Sequence, residues 1–363
     1  MDLPTPDPAA WYDLEGPFVT CWLPALEANE DPAHRLRLEW RHARQQVPDA
    51  PAAAVDAIEA LLNSERAHQD ATSLLVVAGP DGRLAGVHLP DHPPAGRAWC
   101  DPLPRLGPAL RARQQVVPHV VVVADRAGAD IEVVNHGTEV TGSVEGDTTH
   151  IHRGHPGGWS QRRYQQRAEN TWERNATGVA AEVDALAAEV GARLVVVTGD
   201  PRAVGFLTEH ATERLRAILH HVEGAGRSDR DPFAEVAEQV HRLEATLVAA
   251  DLASVLERFT AARQTDGAAD GPDRTLALLS QGRVAELLVH DDPDDERTAA
   301  FDRASRQAAT DPAELAELGL TPTGGRLVDV ALWAAHATGA TVHLVPQHGP
   351  NAPTGAIGGL LRG

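Results

Sequence analysis

Apolar positions along the chain alternate between short strand-like runs and longer helical ones. Residues 17–24, Pro-Phe-Val-Thr-Cys-Trp-Leu-Pro, read as a first strand. Helical spacing follows over 33–46, through Leu36, Leu38 and Trp40, and over 51–68, through Val55, Ile58, Leu61 and Leu62. Two apolar runs, 73–78 and 83–89, flank Gly79-Pro80-Asp81-Gly82 and predict a hairpin. The proline-rich piece 90–94 reads as a linker, closing a first domain near residue 95.

A second unit opens with strands over 119–124, 130–135 and 139–144. A long helix is predicted from about Gln161 to Val190, with Gly191 as its terminating residue. Its stripe runs Tyr164, Ala168, Trp172, Asn175, Val179, Val183, Leu186, Val190, in steps of three and four, and predicts packing on the sheet. A strand over 193–198, the turn Gly199-Asp200-Pro201 and a helix over 203–219 continue a β-then-α order. Residues 232–264 form one long helical stretch leading to a third unit, with a polar loop over 264–273. That unit reads helix (274–281), strand (284–290), acidic loop (291–297), helix (325–338), strand (341–346) and a glycine-rich tail (355–363). The fold class is α/β, in three domains: 1–95, 96–230 and 231–363.

Composition narrows what such a fold does. The chain has 363 residues and a formal net charge of −20, and all 32 cationic side chains are arginine. An acidic surface cannot coat long nucleic acid through net charge, so any RNA contact must come from local patches. Cys21 and Cys100 have no metal-ligand spacing and form no dense framework, which fits a reducing cytosol. The first residues lack a basic start and an apolar core, so no signal peptide is expected. The longest apolar runs, such as 116–124, are too short to cross a bilayer. A cytoplasmic protein, monomeric and without a membrane partner, is the expectation.

One segment stands out against that acidity. Over 152–176 there are five arginines (153, 162, 163, 167, 174) and two glutamates (169, 173). The run His155-Pro156-Gly157-Gly158-Trp159-Ser160-Gln161-Arg162-Arg163-Tyr164 puts two glycines, an indole and an amide on a loop, then opens a helix with arginines. Cations there work against the helix dipole, which favours anions at the N-terminus. Held ready for a polyanion, they make chemical sense. Gly157 and Gly158 permit close backbone approach, Trp159 can stack on a base, and Arg162, Arg163 and Arg167 can pair with phosphates. Gln161 can orient a water but cannot act alone as a general base.

Three patches, in order, resemble the archaeal and eukaryotic class-1 release factor and Pelota superfamily, and most of all its bacterial branch, to which the Balon-type hibernation factors are related. Residues 155–175 resemble the Gly-Gly-Gln loop and the basic helix behind it. The stretch from Trp99-Cys100-Asp101 to Val123-Ala124-Asp125 resembles the entry to the middle domain. Residues 275–292 and 354–363 resemble the start and end of a C-terminal domain with the fold of kink-turn-binding ribosomal proteins. The resemblance implies a ribosome partner, with rRNA, the A site and the peptidyl-transferase centre as contacts for Gly157, Gly158, Trp159, Gln161, Arg162, Arg163 and Arg167. It also implies a translational GTPase partner, such as the elongation factor that delivers tRNA, and no cofactor.

Departures from the family pattern shape the functional reading. Release factors place Gln directly after Gly-Gly, where it helps position the attacking water; here Trp159 holds that place. Gly158-Trp159-Ser160-Gln161 fits the looser Gly-x-x-Gln pattern of a related ribosome quality-control branch, leaving Gln161 as the candidate catalytic residue. A decoding Asn-Ile-Lys-Ser motif cannot exist without lysine, so stop-codon reading is not expected. The sequence therefore points to an A-site-binding factor in hibernation or at stalled ribosomes, with peptidyl-tRNA hydrolysis through Gln161 as the alternative. His150, His152 and His155, near His136 and Asp147, read as part of an RNA-facing arm with no metal. Asp291, Asp292, Asp294, Asp295 and Glu296 read as a solvated loop, and Gly324-Gly325 and Gly358-Gly359 as tight turns.

Overall fold

Strand β1 (Phe18–Pro24) is apolar along almost its whole length because it is covered on both faces. The computed structural model describes residues 8–24, 32–64, 73–91, 93–135, 138–145, 158–347, 349 and 351–363. Helices α1 (Pro32–Ala43) and α2 (Ala52–Leu62) follow β1, then strands β2 (Ser73–Ala78), β3 (Leu84–Leu89) and β4 (Arg97–Asp101). The four strands form an antiparallel sheet in the order β3-β2-β1-β4. Leu36, Trp40, Val55, Ile58 and Leu62 of the two helices cover one face, against Val19, Cys21, Leu74 and Val76. The hairpin turn falls where expected, with Gly82 at φ 80°. The break expected near residue 95 lies inside this sheet, because β4 pairs with β1 beyond the prolines. Helix α3 (Gly107–Gln115), which the periodicity did not reveal, comes next.

Strands β5 (His119–Ala124), β6 (Gly128–Asn135) and β7 (Thr138–Glu145) precede the long helix α4 (Gly158–Glu189). Then come β8 (Leu194–Gly199), α5 (Pro201–His210), α6 (Glu213–Ile218), β9 (Leu219–His221) and α7 (Pro232–Arg263). The sheet order is β7-β6-β5-β8-β9, with β5, β8 and β9 parallel, β6 antiparallel to β5, and β7 antiparallel to β6. Alternate residues of β5 point to opposite sides. Val120 and Val122 meet Val179 and Val183 of α4 and Leu207 of α5. Val121 meets Val236 and Val240 of α7. The helix expected over 203–219 is two helices, because Thr212 stops the first and caps the second, accepting from the Leu215 N–H at 3.1 Å.

The remaining elements are β10 (Ala268–Asp270), α8 (Pro272–Ser280), β11 (Val284–Val289), β12 (Thr298–Asp302), β13 (Gln307–Ala309), α9 (Pro312–Glu317), β14 (Thr323–Arg326), α10 (Leu327–Thr338), β15 (Thr341–Leu344) and β16 (Ile357–Leu361). They build the sheets β10-β16-β11-β15 and β13-β12-β14. Two expectations fail here. The glycine-rich tail is not a turn but an inner strand, β16, whose glycines admit close neighbours: a Cβ on Gly358 would lie 2.6 Å from the Phe259 ring. Gly324 and Gly325 likewise lie within β14.

Residues 1–114 and 252–363 form one compact unit, and 115–251 a second. The first unit owes its unity to a shared core. Trp11, Tyr12, Phe18, Leu103 and Leu106 pack with Phe301, Leu327 and Trp333. Polar ties cross the same seam. Arg303 Nη1 donates to the Tyr12 carbonyl at 2.7 Å, and Gln114 exchanges hydrogen bonds with the Leu344 backbone at 3.2 and 2.8 Å.

Asp291, expected in a solvated loop, is buried in this seam. Its Oδ1 accepts from Arg326 Nη2 at 2.5 Å, while Arg326 Nη1 donates to Asp329 Oδ1 at 3.2 Å. Arg326, Asp291 and Asp329 are all at least nine-tenths buried. Asp291 also stands so close to α3 that a Cβ on Gly107 would fall 1.8 Å from its Oδ2. Burial pushes the Asp329 carboxyl up to about 7 against the pull of Arg326, with Asp291 adding to the rise and Arg105 and Asp101 acting from further off. A carboxyl raised in the folded state binds its proton more tightly there than in the unfolded chain, so its contribution to stability falls as pH climbs from the ordinary carboxylate range to about 7 and is level above that. The melting temperature of the wild-type chain is expected to decline over that window, at up to about 1.4 kcal/mol of stability per pH unit. Asp329→Asn should flatten the decline in a pH series of thermal melts.

Candidate nucleic-acid interface

The sequence-predicted site lies at the start of α4. Gly157 falls outside the described residues, as do His136, Asp147, His150, His152 and His155. Helix α4 begins at Gly158, about one turn earlier than expected, so Trp159, Gln161, Arg162 and Arg163 belong to its first turns rather than to a loop. Nothing in Trp159-Ser160 opposes helix, and glycine is well tolerated at a helix start. The Gly-x-x-Gln spacing therefore spans a single helical turn. Arg163, Arg167 and Arg174, spaced four and seven apart, share one stripe of the helix, and Gln161 falls on the stripe that continues through Tyr164, Ala168 and Asn175.

Asn175 and Ala176 of α4 are buried. Asn175 Nδ2 donates to the Arg126 carbonyl at 3.1 Å, in the turn between β5 and β6. That turn lies at the carboxyl end of β5, next to the carboxyl end of its parallel neighbour β8. From there to Gly158 the helix continues for about 25 Å at 1.5 Å per residue. The described side chains of α4 seat its C-terminal part, its foot, on the sheet.

The foot is heavily braced. Asp125 Oδ1 accepts from the N–H groups of Ala127 (2.7 Å) and Gly128 (2.8 Å) and from Arg227 Nη1 (3.1 Å). Burial works to raise this carboxyl, but those donors outweigh it and hold Asp125 below its ordinary range. Arg227 also reaches Asp130 Oδ1 through Nε at 3.1 Å and Nη2 at 2.9 Å. Arg126 Nε donates to Asp200 Oδ2 at 3.1 Å, and Asp200 Oδ1 caps α5 by accepting from Arg202 N at 2.9 Å. Among the described residues no cluster of histidine, cysteine or carboxylate side chains could hold a metal ion. What this part of the protein offers is a long helix with its foot held in place by these bonds.

A second basic strip escaped the sequence reading. On α1 and in the 3-10 turn that follows it, Arg37, Arg41 and Arg44 recur at helical spacing around Trp40 and line a groove of about 540 Å³ with Glu59 and Asn63. Glu59 Oε1 accepts from Arg44 Nη1 at 3.4 Å and from Trp40 Nε1 at 3.4 Å. The signal was available: residues 32–46 hold four arginines and one glutamate.

Residues 118–265 match the bacterial archaeo-eukaryotic release factor family 2. Among solved structures, the chain is similar to an archaeal translation termination factor at 17% identity, covering 98% of this chain and 95% of that one, with a TM-score of 0.27. Pelota of Archaeoglobus fulgidus is 15% identical over 80% of this chain and 79% of its own, with a TM-score of 0.35. Archaeal Pelota, described bound to the ribosome with ABCE1, is 14% identical over 100% and 95%, with a TM-score of 0.47. No curated protein sequence matches.

Proposed function

From the match of residues 118–265 to the bacterial archaeo-eukaryotic release factor family 2, we propose that this chain is a ribosome-binding translation factor that occupies the A site without reading a stop codon. The observation that carries the reading is the basic stripe of α4, held on a braced foot inside the family-matched segment of an otherwise acidic protein. The arm would reach toward the peptidyl-transferase centre, with Trp159, Arg162, Arg163 and Arg167 against rRNA. The basic strip on α1 supports a further RNA contact from residues 1–114. Trp159 in the place of the family's glutamine, and the absence of lysine from any decoding motif, favour occupancy over termination: ribosome hibernation, or recognition of a stalled ribosome. A tRNA-delivering GTPase fits as partner on the same analogy.

Cosedimentation with ribosomes over a salt series tests this. The wild-type chain should bind at low salt, with log affinity falling linearly against log salt. Arg162→Ala with Arg163→Ala should weaken binding and make that slope shallower by about 2, one for each lost phosphate contact. No cosedimentation at low salt would sink the proposal. The second reading, peptidyl-tRNA hydrolysis, rests on Gln161 keeping its spacing from Gly158 at a helix start. Release of peptide from ribosome-bound peptidyl-tRNA by wild type and not by Gln161→Ala would favour it; binding without release favours occupancy.

A further inference from the structure

Below Asn175, α4 meets the sheet through Val179, Ala180, Val183 and Ala187, and apolar contacts of this kind are non-directional. Small and β-branched residues in such a stripe bury area without fixing how far the helix has rolled. Among the described residues of α4, Asn175 is the buried polar one, with 8% exposure. Placing an amide there carries a desolvation cost unless it is hydrogen-bonded, and a lone buried polar group of this kind can specify register at a cost in stability.

We propose that Asn175 is a positioning residue for the α4 arm, its amide setting the rotation of the helix and so the direction faced by the stripe of Arg163, Arg167 and Arg174. Its acceptor is well chosen for the purpose. The Arg126 carbonyl belongs to a turn closed by the Asp125 N–H to Gly128 carbonyl bond at 2.9 Å. The Arg126 guanidinium is tied to Asp200, the cap of α5. Helix α5 in turn packs in the same core as α4 through Val204 and Leu207. The bond from Asn175 therefore closes a ring: α4, the 125–128 turn, the α5 cap, and back to α4. A helix advances about 100° per residue, so a roll by one position would carry the arginine stripe to a different side of the arm. The functional consequence rests on the ribosome-binding reading; the rotational role does not.

Two measurements separate them. The first uses spin labels at Arg167→Cys and the exposed Arg202→Cys, in a chain with Cys100→Ser. One narrow distance is expected with Asn175 present, and a broadened or shifted one with Asn175→Leu, which keeps the bulk but loses the donor. An unchanged distance overturns the proposal, whatever the ribosome does. The second is ribosome cosedimentation. Asn175→Leu should bind about tenfold more weakly with a melting temperature near that of wild type, and Arg167→Ala should cost less than twofold in that background although it costs severalfold alone. Additive losses, or an Asn175→Leu chain that fails to fold, assign the residue a structural role only and defeat the idea. A wild-type chain that never binds ribosomes, yet shows the distance change, defeats the proposed function and leaves the positioning role standing.

Discussion

Replacing Arg326 with methionine is expected to cost about 3–5 kcal/mol in the stability of the unit formed by residues 1–114 and 252–363. The guanidinium donates to Asp291 Oδ1 and Asp329 Oδ1 and also to the carbonyls of Asp295 at 2.9 Å and Asp292 at 2.6 Å. Burial works against this cation, and the two carboxylates more than offset it, keeping it protonated beyond its ordinary range. Without it, two buried carboxyls face each other with only the more distant Arg105 as counter-charge, and two carbonyls lose their donor. The contrast that identifies the cause is a triple variant, Arg326→Met with Asp291→Asn and Asp329→Leu. Removing the whole ionic set should recover much of the loss, because the penalty comes from uncompensated charge rather than from the missing pair. Urea unfolding followed by tryptophan fluorescence reports on it directly, since Trp11 and Trp333 sit in this core. A single variant as stable as wild type would contradict the account.

Gly199→Ala is expected to damage the second unit by about 3 kcal/mol or more. Gly199 lies at the end of β8 with φ at 119°, and a Cβ there would fall 2.0 Å from the Ala124 carbonyl oxygen. That oxygen cannot retreat, because it accepts from the Asp200 N–H at 2.9 Å and belongs to a strand paired on both sides. The damage should extend to function: Asp200 caps α5 and holds Arg126, so the foot of the arm loosens with it. Gly205→Ala is the control. It sits in α5 with open space around its Cβ position, so the same change should be neutral or stabilising by up to about 1 kcal/mol. Equal effects at the two sites in thermal melts would refute the steric argument.

The elements legible in the sequence are those whose own residues carry the pattern. Strand β2 is apolar along its length because helices and the seam cover both its faces, and β5 announces itself for the same reason. The features that escaped depend on partners far along the chain. Helix α3 is short, starts Gly-Pro and is rich in Arg and Gln, so its apolar stripe is weak. Strand β16 hides behind glycines that only its neighbours Phe259 and Val284 explain. Asp291 reads as one acid among five until Arg326, thirty-five positions on, encloses it. As for the candidate site, its residue types and charge were legible, whereas its setting was not: that α4 absorbs Trp159 and Gln161 depends on where the helix starts, and no residue there marks it. The foot built by Asp125, Arg227 and Asp200 joins three separated segments, and sequence order conceals it.

The division of the first unit between the two ends of the chain has a consequence during synthesis. Trp11, Tyr12, Phe18, Leu103 and Leu106 are made well before Phe301, Leu327 and Trp333, against which they close. At translation rates of about 5–20 residues per second, making 115–251 alone takes on the order of ten seconds. For that interval the leading segment is a sheet with one face covered by α1 and α2 and the other only partly covered by α3, emerging beside the ribosome with Trp11, Tyr12 and Phe18 lacking their later partners. A nascent chain stopped at residue 251 should therefore hold on to a chaperone that the finished protein lets go.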